Sequence, residues 1–298
     1  MNHHLISRLA AVLAAAGLCA AVPASAADSG MKLRMTASQQ YITESELKSG
    51  DVLLDGALHI DNYTGFSNLR LHLVSDPELV IENLDFARDA SRKESDGADK
   101  QSYFVTHGET KVTGLNDQGE AVNVCLWYGP GQVEPAAGVV EDPDSPFLTY
   151  RLRVPQGTAA GIYTADVSKS VKTNVVGQLE YDFQAYLGTE RLDIPCEGLK
   201  VVVEPDPVRG DVDGNGKIEP WDATAVLRFC ALTNAGFDLS DPELTEELEQ
   251  VSGTPYIHMA MKAGDIDLNG KIEPSDATAI LVYANLQMIG FDPDWDEL

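Results

Sequence analysis

Two kinds of hydrophobic pattern divide the chain. Between Met31 and Glu204, short runs in which apolar and polar residues alternate recur between clusters of turn-forming residues. A period of two is that of a β-strand with one buried face, so these runs predict an all-β sandwich of roughly nine strands. We expect a jelly-roll arrangement. The runs are Ala57–Tyr63, Leu69–Val74, Ala121–Tyr128, Phe147–Val154, Gly161–Val167, Gln178–Leu187 and Leu199–Val203.

The pattern changes to a helical spacing after the Pro-rich stretch Glu204–Arg209. Helices are predicted from Asp222 and from Asp276, where an aspartate favours a helix start. Their expected apolar faces comprise Val226, Leu227 and Phe229, and Ile280, Leu281 and Tyr283. The connection from Leu232 to Lys262 contains an acidic helical stretch, 241–250, and is either a clamp on the module or a spacer. The predicted organisation is a sandwich over 28–204, a linker over 205–209 and a small all-α module over 210–298.

A twelve-residue loop precedes each of the two predicted helices, at Asp211–Asp222 and Asp265–Asp276. Both copies place oxygen-bearing side chains at positions 1, 3, 5 and 12 and a glycine at position 6. This is the spacing of a calcium-binding loop, although the EF-hand pattern has Glu at position 12. Ordinary Asp/Asn/Gly turns are the alternative, and two matched copies argue against it. We therefore predict two Ca²⁺ ions. The expected ligands are Asp211, Asp213, Asn215, the Lys217 carbonyl, Glu219 and Asp222 in the first loop, and Asp265, Asp267, Asn269, the Lys271 carbonyl, Glu273 and Asp276 in the second.

A duplicated loop with only an exiting helix, in the pattern Gly-Asp-x-Asp-x-Asn-Gly-x-Ile followed by Asp, resembles the dockerin domain of cellulosomes. The resemblance covers Arg209 to Gly290. It implies that both loops bind calcium and that the exiting helices dock onto a cohesin domain. The docking positions that it implies are Pro220, Trp221, Arg228, Pro274, Ser275 and Val282.

Three segments of the predicted sandwich resemble a cohesin domain: 65–80, 158–167 and 199–204. Together with the dockerin resemblance, they imply a non-catalytic adaptor scaffoldin. Its N-terminal domain would bind a dockerin-bearing enzyme or protein, and its own dockerin would bind a cohesin of another scaffoldin.

Composition narrows the class further. A formal net charge of -26 argues against nucleic-acid and anionic-membrane binding. Residues 1–26 read as a secretory signal peptide, with Arg8, an apolar run and the Ala24–Ala26 cleavage site. We expect a secreted, extracellular protein in a cell-surface or released multienzyme complex.

The mature chain would keep three cysteines, Cys125, Cys196 and Cys230. An odd count leaves at least one thiol free or paired between molecules. Cys125 and Cys196 could pair, and buried free thiols are the alternative that we favour.

Two other functions remain open. Trp127, Tyr128 and Tyr150 could form a sugar-stacking platform, which would make the sandwich a carbohydrate-binding module attached through the dockerin. Paired carboxylates could also serve a dockerin-tagged glycan-active enzyme. The sequence contains no zinc-spaced histidine pair, Gly-x-Ser-x-Gly elbow or phosphate loop, so we expect no catalysis.

Overall fold

A computed structural model describes residues 27–64, 68–86, 88–93, 99–101, 112–115, 121–127, 146–173, 177, 179–239 and 244–297. The predicted signal peptide, 1–26, lies outside these residues. The strands are β1 (Ala27–Asp28), β2 (Lys32–Ala37), β3 (Tyr41–Thr43), β4 (Val52–Asp61), β5 (Asn68–Ser75), β6 (Val80–Phe86), β7 (Arg88–Lys93), β8 (Asp99–Gln101), β9 (Val112–Leu115), β10 (Ala121–Trp127), β11 (Leu148–Val154), β12 (Gly161–Val167), β13 (Val171–Thr173), β14 (Leu179–Tyr181), β15 (Gln184–Leu187), β16 (Glu190–Asp193), β17 (Cys196–Glu197) and β18 (Leu199–Glu204). The helices are α1 (Glu44–Ser49), α2 (Pro220–Asn234), α3 (Thr245–Ser252), α4 (Ile257–Gly264) and α5 (Pro274–Met288), and a 3-10 turn covers Trp295–Glu297.

Two β-sheets face each other across one hydrophobic core. The larger sheet runs β1-β16-β15-β5-β12-β18-β3, and β10 and β9 extend it from β5. The smaller sheet runs β17-β2-β4-β11-β6. Alternate residues of both sheets enter the same buried cluster, for example Leu71 and Val201 from the larger sheet and Leu58 and Leu152 from the smaller one. The predicted β-sandwich is therefore confirmed as the architecture of this half of the chain.

Period-two alternation located the longer strands well. Gly161–Val167 is a strand over the predicted residues, and β11 alternates buried and more exposed positions along its whole length. The prediction of roughly nine strands was too low because strands of two or three residues show no measurable alternation.

The single run predicted over Gln178–Leu187 is wrong. β14 forms a separate two-stranded hairpin with β13, whereas β15 pairs with β5 in the larger sheet. Asp182 lies between β14 and β15 and accepts a hydrogen bond from the Ser168 hydroxyl at 2.7 Å. Its other carboxylate oxygen lies 3.3 Å from His72 Nδ1, which further holds the base of the hairpin against β5.

Helix α1 was not predicted, although the sequence carries its signal. Thr43 and Glu46 form a capping box in which the Glu46 amide donates to the Thr43 hydroxyl and the Thr43 amide donates to the Glu46 carboxylate. A threonine followed three residues later by glutamate is the sequence signature of this motif.

The helices after residue 219 surround a second core that contains Val226, Phe229 and Ile280. Helices α2 and α5 begin at Pro220 and Pro274, so Asp222 and Asp276 are the third helical residues rather than the first as predicted. Leu227 and Leu281 were expected in the apolar faces. Both leucines are instead exposed. The buried face of each helix includes the small residues near its start and lies on a different side of the helix from the leucine.

The connection between the repeats is helical over much of its length. The acidic stretch predicted over 241–250 forms α3 from Thr245, and residues 240–243 lie outside the described chain. Helix α4 was not predicted, and it leads directly into the second loop, so this loop has an entering helix as well as an exiting one. None of the described helices has the length and apolarity to cross a membrane.

The cysteines that the structure describes are free thiols. Cys230 is buried and Cys196 is half-buried, so the considered Cys125–Cys196 bridge is not formed. The Cys125 side chain lies outside the described residues. Burial, and after it the charge of nearby Asp166, raise the pKa of the Cys196 thiol to about 12.

Candidate metal centres

Each of the two predicted loops brings three carboxylates together. One oxygen from each of Asp211, Asp213 and Asp222 lies within 4.8 Å of the others, and Asp265, Asp267 and Asp276 form an equivalent group. These are loop positions 1, 3 and 12. Positions 1 and 3 are close together in sequence, and position 12 reaches them only when the loop closes. The structure therefore assembles the negative charge that the spacing predicted.

Backbone amides of the loop hold the position-1 aspartates. Asp211 accepts from the Asn215 amide at 3.0 Å and from the Gly216 amide at 2.9 Å. Asp265 repeats both bonds in the second loop. A short carboxylate can accept from amides a few residues on, and the glycine at position 6 has a φ of 83°, which few other residues adopt. The loop is thus folded around its first residue.

The position-12 aspartates join each loop to its exiting helix. Fully buried Asp222 accepts from the Val212 amide at 2.8 Å with one oxygen and from the Glu219 amide at 2.8 Å with the other. Asp276 accepts equivalent bonds at 3.0 and 2.8 Å. At the third helical position a carboxylate also interacts favourably with the positive end of the helix dipole. Asp at this position therefore has a structural role in addition to its predicted role as a ligand.

The remaining predicted ligands do not belong to the two groups of three carboxylates. The Asn215 side chain donates to Asp213 at 2.9 Å and accepts from the Lys217 amide at 2.9 Å, and Asn269 does the same in the second loop. Glu219 and Glu273 lie outside the two groups of three carboxylates. Glu219 is exposed with its oxygen 3.9 Å from Lys217 Nζ, and Glu273 accepts from Asn269 at 3.3 Å. Ligation by these residues, and by the Lys217 and Lys271 carbonyls, stays a prediction.

The electrostatics of the first loop suit a hard divalent cation. Burial raises the pKa of Asp211 and of Asp222, and the hydrogen bonds from backbone amides offset this only in part. Clustered carboxylates that are removed from water need a positive charge to remain ionised together. The donor set consists of oxygen alone, which favours Ca²⁺ over softer metals. The residues present therefore fit calcium.

The predicted docking residues all lie on the surface. Trp221 is 40% exposed and lies at the start of α2, where the Arg228 guanidinium carbon is 4.7 Å from its ring centroid. Val282, which corresponds to Arg228 in the second repeat, is 41% exposed. Pro220, Pro274 and Ser275 are exposed too. One end of the repeat pair thus presents an aromatic-cation pair and the other presents smaller side chains.

The repeat extends further than the loops and helices suggested. Gly236-Phe237 and Gly290-Phe291 follow α2 and α5 at equivalent positions, 54 residues apart. Phe237 donates its amide to the Leu232 carbonyl, and Phe291 donates to Leu286. With a left-handed glycine before the phenylalanine, this is the Schellman motif that ends a helix. The repeated Gly-Phe-Asp triplet could have revealed both helix ends.

One proposed sugar-binding residue is excluded by its position. Tyr150 is 3% exposed, and its hydroxyl donates to the Thr36 carbonyl at 2.9 Å. A buried ring cannot stack on a sugar. The side chain of Trp127 and all of Tyr128 lie outside what the structure describes, so the platform loses the one member whose position is known.

Fold and loops together define a two-sheet sandwich followed by a helical module with paired carboxylate loops. No family model matches the chain, and no curated protein matches it. Solved structures that resemble it include cohesin modules. They include the seventh ScaB type I cohesin from Pseudobacteroides cellulosolvens (12% identity, 59% of this chain and 95% of that chain, TM-score 0.30). They also include the third ScaB cohesin of R. flavefaciens in complex with a group 1 dockerin (14% identity, 61% and 98% coverage, TM-score 0.30) and a type II cohesin domain from the cellulosome of Acetivibrio cellulolyticus (10% identity, 57% and 94% coverage, TM-score 0.28). These similarities are too low to assign a function.

Proposed function

We propose that this chain is a non-catalytic adaptor scaffoldin of a cellulosome-type complex. Its helical module is a calcium-dependent dockerin that binds a cohesin of another scaffoldin. Its sandwich is a cohesin-like domain that binds a dockerin-bearing enzyme or protein. With residues 1–26 as a signal peptide, the protein acts outside the cell, in a cell-surface or released multienzyme complex.

The observation that carries the proposal is the pair of matched carboxylate groups. The same bonds recur at positions 1, 3, 5 and 12 of both loops, so the two copies are built to one plan. Two Ca²⁺ ions at these groups would neutralise clustered charge and connect each loop to its helix. Because cation binding and folding of such a site are linked, calcium would stabilise the module.

The docking half of the proposal is supported by the surface of α2 and α5. Trp and Arg are enriched among the residues that dominate binding energy in protein interfaces, and here the Arg228 guanidinium lies over the partly exposed ring of Trp221. The equivalent positions of the second repeat are Ser275 and Val282. We therefore propose that the partner binds in one dominant orientation, through the Trp221 half.

The sandwich half of the proposal rests on the three sequence segments that resemble a cohesin and on the two-sheet architecture. The strongest alternative is a carbohydrate-binding sandwich carried by the same dockerin. The burial of Tyr150 counts against that alternative, because it removes one of the three aromatic residues that it needs.

Binding of the full-length chain to panels of immobilised cohesins, dockerins and insoluble polysaccharides tests the proposal. We expect capture by a cohesin that is lost in chelator and in the double variant D213A/D267A, and capture of a dockerin that survives that double variant. Glu190→Ala, an exposed change in the sandwich, is the control. Retention on polysaccharide without dockerin capture would replace the adaptor by the sugar-binding module. Release of soluble sugar would instead indicate an enzyme.

A further inference from the structure

The two loops differ in what covers them. The bridging segment, residues 244–264, contains α3 and α4 and lies between the repeats in sequence. It packs on the first loop: a Cβ placed on Gly214 would lie 2.9 Å from Met259 Cε, and one on Gly253 would lie 3.7 Å from Asp213 Cβ. In addition, the Gly210 amide, immediately before the loop, donates to the Ala263 carbonyl at 2.7 Å.

The equivalent position of the second loop is exposed to solvent. Leu268 occupies the position that corresponds to Gly214, and its side chain is 70% exposed. The backbone there is left-handed in both loops, with φ values of 72° at Gly214 and 59° at Leu268. The left-handed backbone alone therefore does not require glycine at this position. The close approach of Met259 to Gly214 does require it. The carboxylate groups follow the same difference, since Asp211 is buried and Asp213 half-buried, but Asp265 is half-buried and Asp267 exposed.

The bridging segment also contacts the sandwich. Glu204, at the end of β18, accepts from the His258 amide at 3.0 Å, which places a sandwich carboxylate at the first turn of α4. The Tyr41 ring lies edge-on to the His258 ring with centroids 4.1 Å apart, and Tyr41 shares a hydrogen bond with Thr245 of α3. Glu204 is only 2% exposed, although its side of β18 faces away from the sandwich core. This contact therefore excludes water.

We infer that the bridging segment couples the first calcium site to the contact between the helical module and the sandwich, and that the second site, which α4 enters only through its C-terminal end, is coupled to this contact more weakly. The inference rests on the proposed calcium binding. His258, which contacts the sandwich, and Met259, which contacts the first loop, are neighbours in a single turn of α4. Whatever orders the first loop therefore also holds α4 against Glu204, and by linkage the contact with Glu204 strengthens cation binding at the first loop.

Hydrogen exchange of the full-length protein, together with calcium calorimetry, tests this coupling. The matched variants are D213A and D267A, which each remove the position-3 carboxylate and keep the Cβ. We expect chelator and D213A to increase exchange in the peptide that contains the His258 amide, and D267A in calcium to increase it clearly less. Exchange in the sandwich strands reports whether the rest of each variant is folded.

The reciprocal measurement uses Glu204→Ala in the D267A background, where only the first site remains. We expect the calcium affinity of that site to fall by about fivefold or more, and Glu190→Ala in the same background to leave it unchanged. Equal effects of D213A and D267A on His258, or an unchanged affinity in the Glu204 variant, would overturn the inference while calcium binding stands. No calcium binding by the wild-type protein would overturn the proposed calcium function and the inference together.

Discussion

Replacing Asp222 by alanine tests whether the position-12 carboxylate organises the first loop independently of any metal. Its two oxygens accept from the Val212 and Glu219 amides, each at 2.8 Å, in a fully buried position. Alanine would leave both amides without these acceptors. A buried amide that loses its acceptor costs about 1 to 3 kcal/mol, and loss of a negative charge at the helix start costs about 0.3 to 1 kcal/mol.

Part of this cost is recovered. Burial raises the pKa of Asp222, so its ionised form is less stable in the folded protein than in water, and the variant no longer buries that charge. We expect a net loss of about 2 to 4 kcal/mol in the free energy of unfolding of the helical module, measured in chelator. Asp213→Ala is the matched control. Asp213 is only half-buried, so we expect that variant to lose about 1 kcal/mol or less in chelator.

Urea unfolding followed by circular dichroism at the helical band is the assay, since α2 to α5 contribute most of the described helix. Calcium should then stabilise neither variant as fully as wild type, because both substitutions remove a predicted ligand of the first site. The Asp213 variant, close to wild type in chelator, should lose the stabilisation that a saturating cation gives, about 2.7 kcal/mol at one hundred times the dissociation constant. A chelator-treated Asp222 variant as stable as wild type would refute the structural role of this carboxylate.

Three further predictions follow from named contacts. Trp221→Ala should weaken binding to the proposed cohesin partner by about 2 kcal/mol or more in calorimetry, whereas Ser275→Ala should change the binding free energy little. Equal losses in the two variants would contradict a single dominant orientation. Gly56→Ala should lower the thermal stability of the sandwich, because the added Cβ would lie 2.1 Å from the Tyr150 ring. Such overpacking usually costs about 1 to 3 kcal/mol. An unchanged melting temperature would contradict this prediction. Cys196 should react slowly with iodoacetamide at pH 8 in the native protein and fast after unfolding, since its pKa of about 12 in the folded protein keeps the thiol protonated. Peptide mass spectrometry measures the labelling, and fast labelling of the native protein would contradict this prediction.

The sequence was sufficient for features set by local periodicity. Alternation predicted the sandwich because strands such as β11 bury every second residue. Loop spacing predicted that the carboxylates at positions 1, 3 and 12 converge, because twelve residues close on themselves, but it also predicted Glu219 and Glu273, which lie outside these groups. Local patterns failed where distant residues decide the outcome. The break between β14 and β15 depends on Asp182 reaching both Ser168 and His72, and no periodicity in the run 178–187 contains that information.

The bridging segment shows the same limit and one missed opportunity. Helix α4 has only eight residues and follows Gly253 and Pro255, so its apolar spacing was too short to recognise. Its contact with the first loop is a tertiary feature. Its consequence was nevertheless visible in the repeat, where Gly214 stands opposite Leu268 among otherwise matched ligand positions. A mismatch between internal repeats at a position that binds no metal indicates that one copy has a neighbour that the other lacks.

The two asymmetries of the repeat meet at one side chain. Trp221 distinguishes the proposed docking half, and a Cβ on Gly253 of the bridging segment would lie 3.3 Å from its indole nitrogen. The half that would bind the partner is therefore also the half that the bridging segment covers and connects to Glu204 of the sandwich. A partner that binds Trp221 would therefore contact a part of the helical module whose position relative to the sandwich is already fixed, rather than a module that moves freely. If the proposed adaptor function holds, this arrangement would transmit the orientation of one bound protein to the other, which a flexible linker over 205–209 alone would not do.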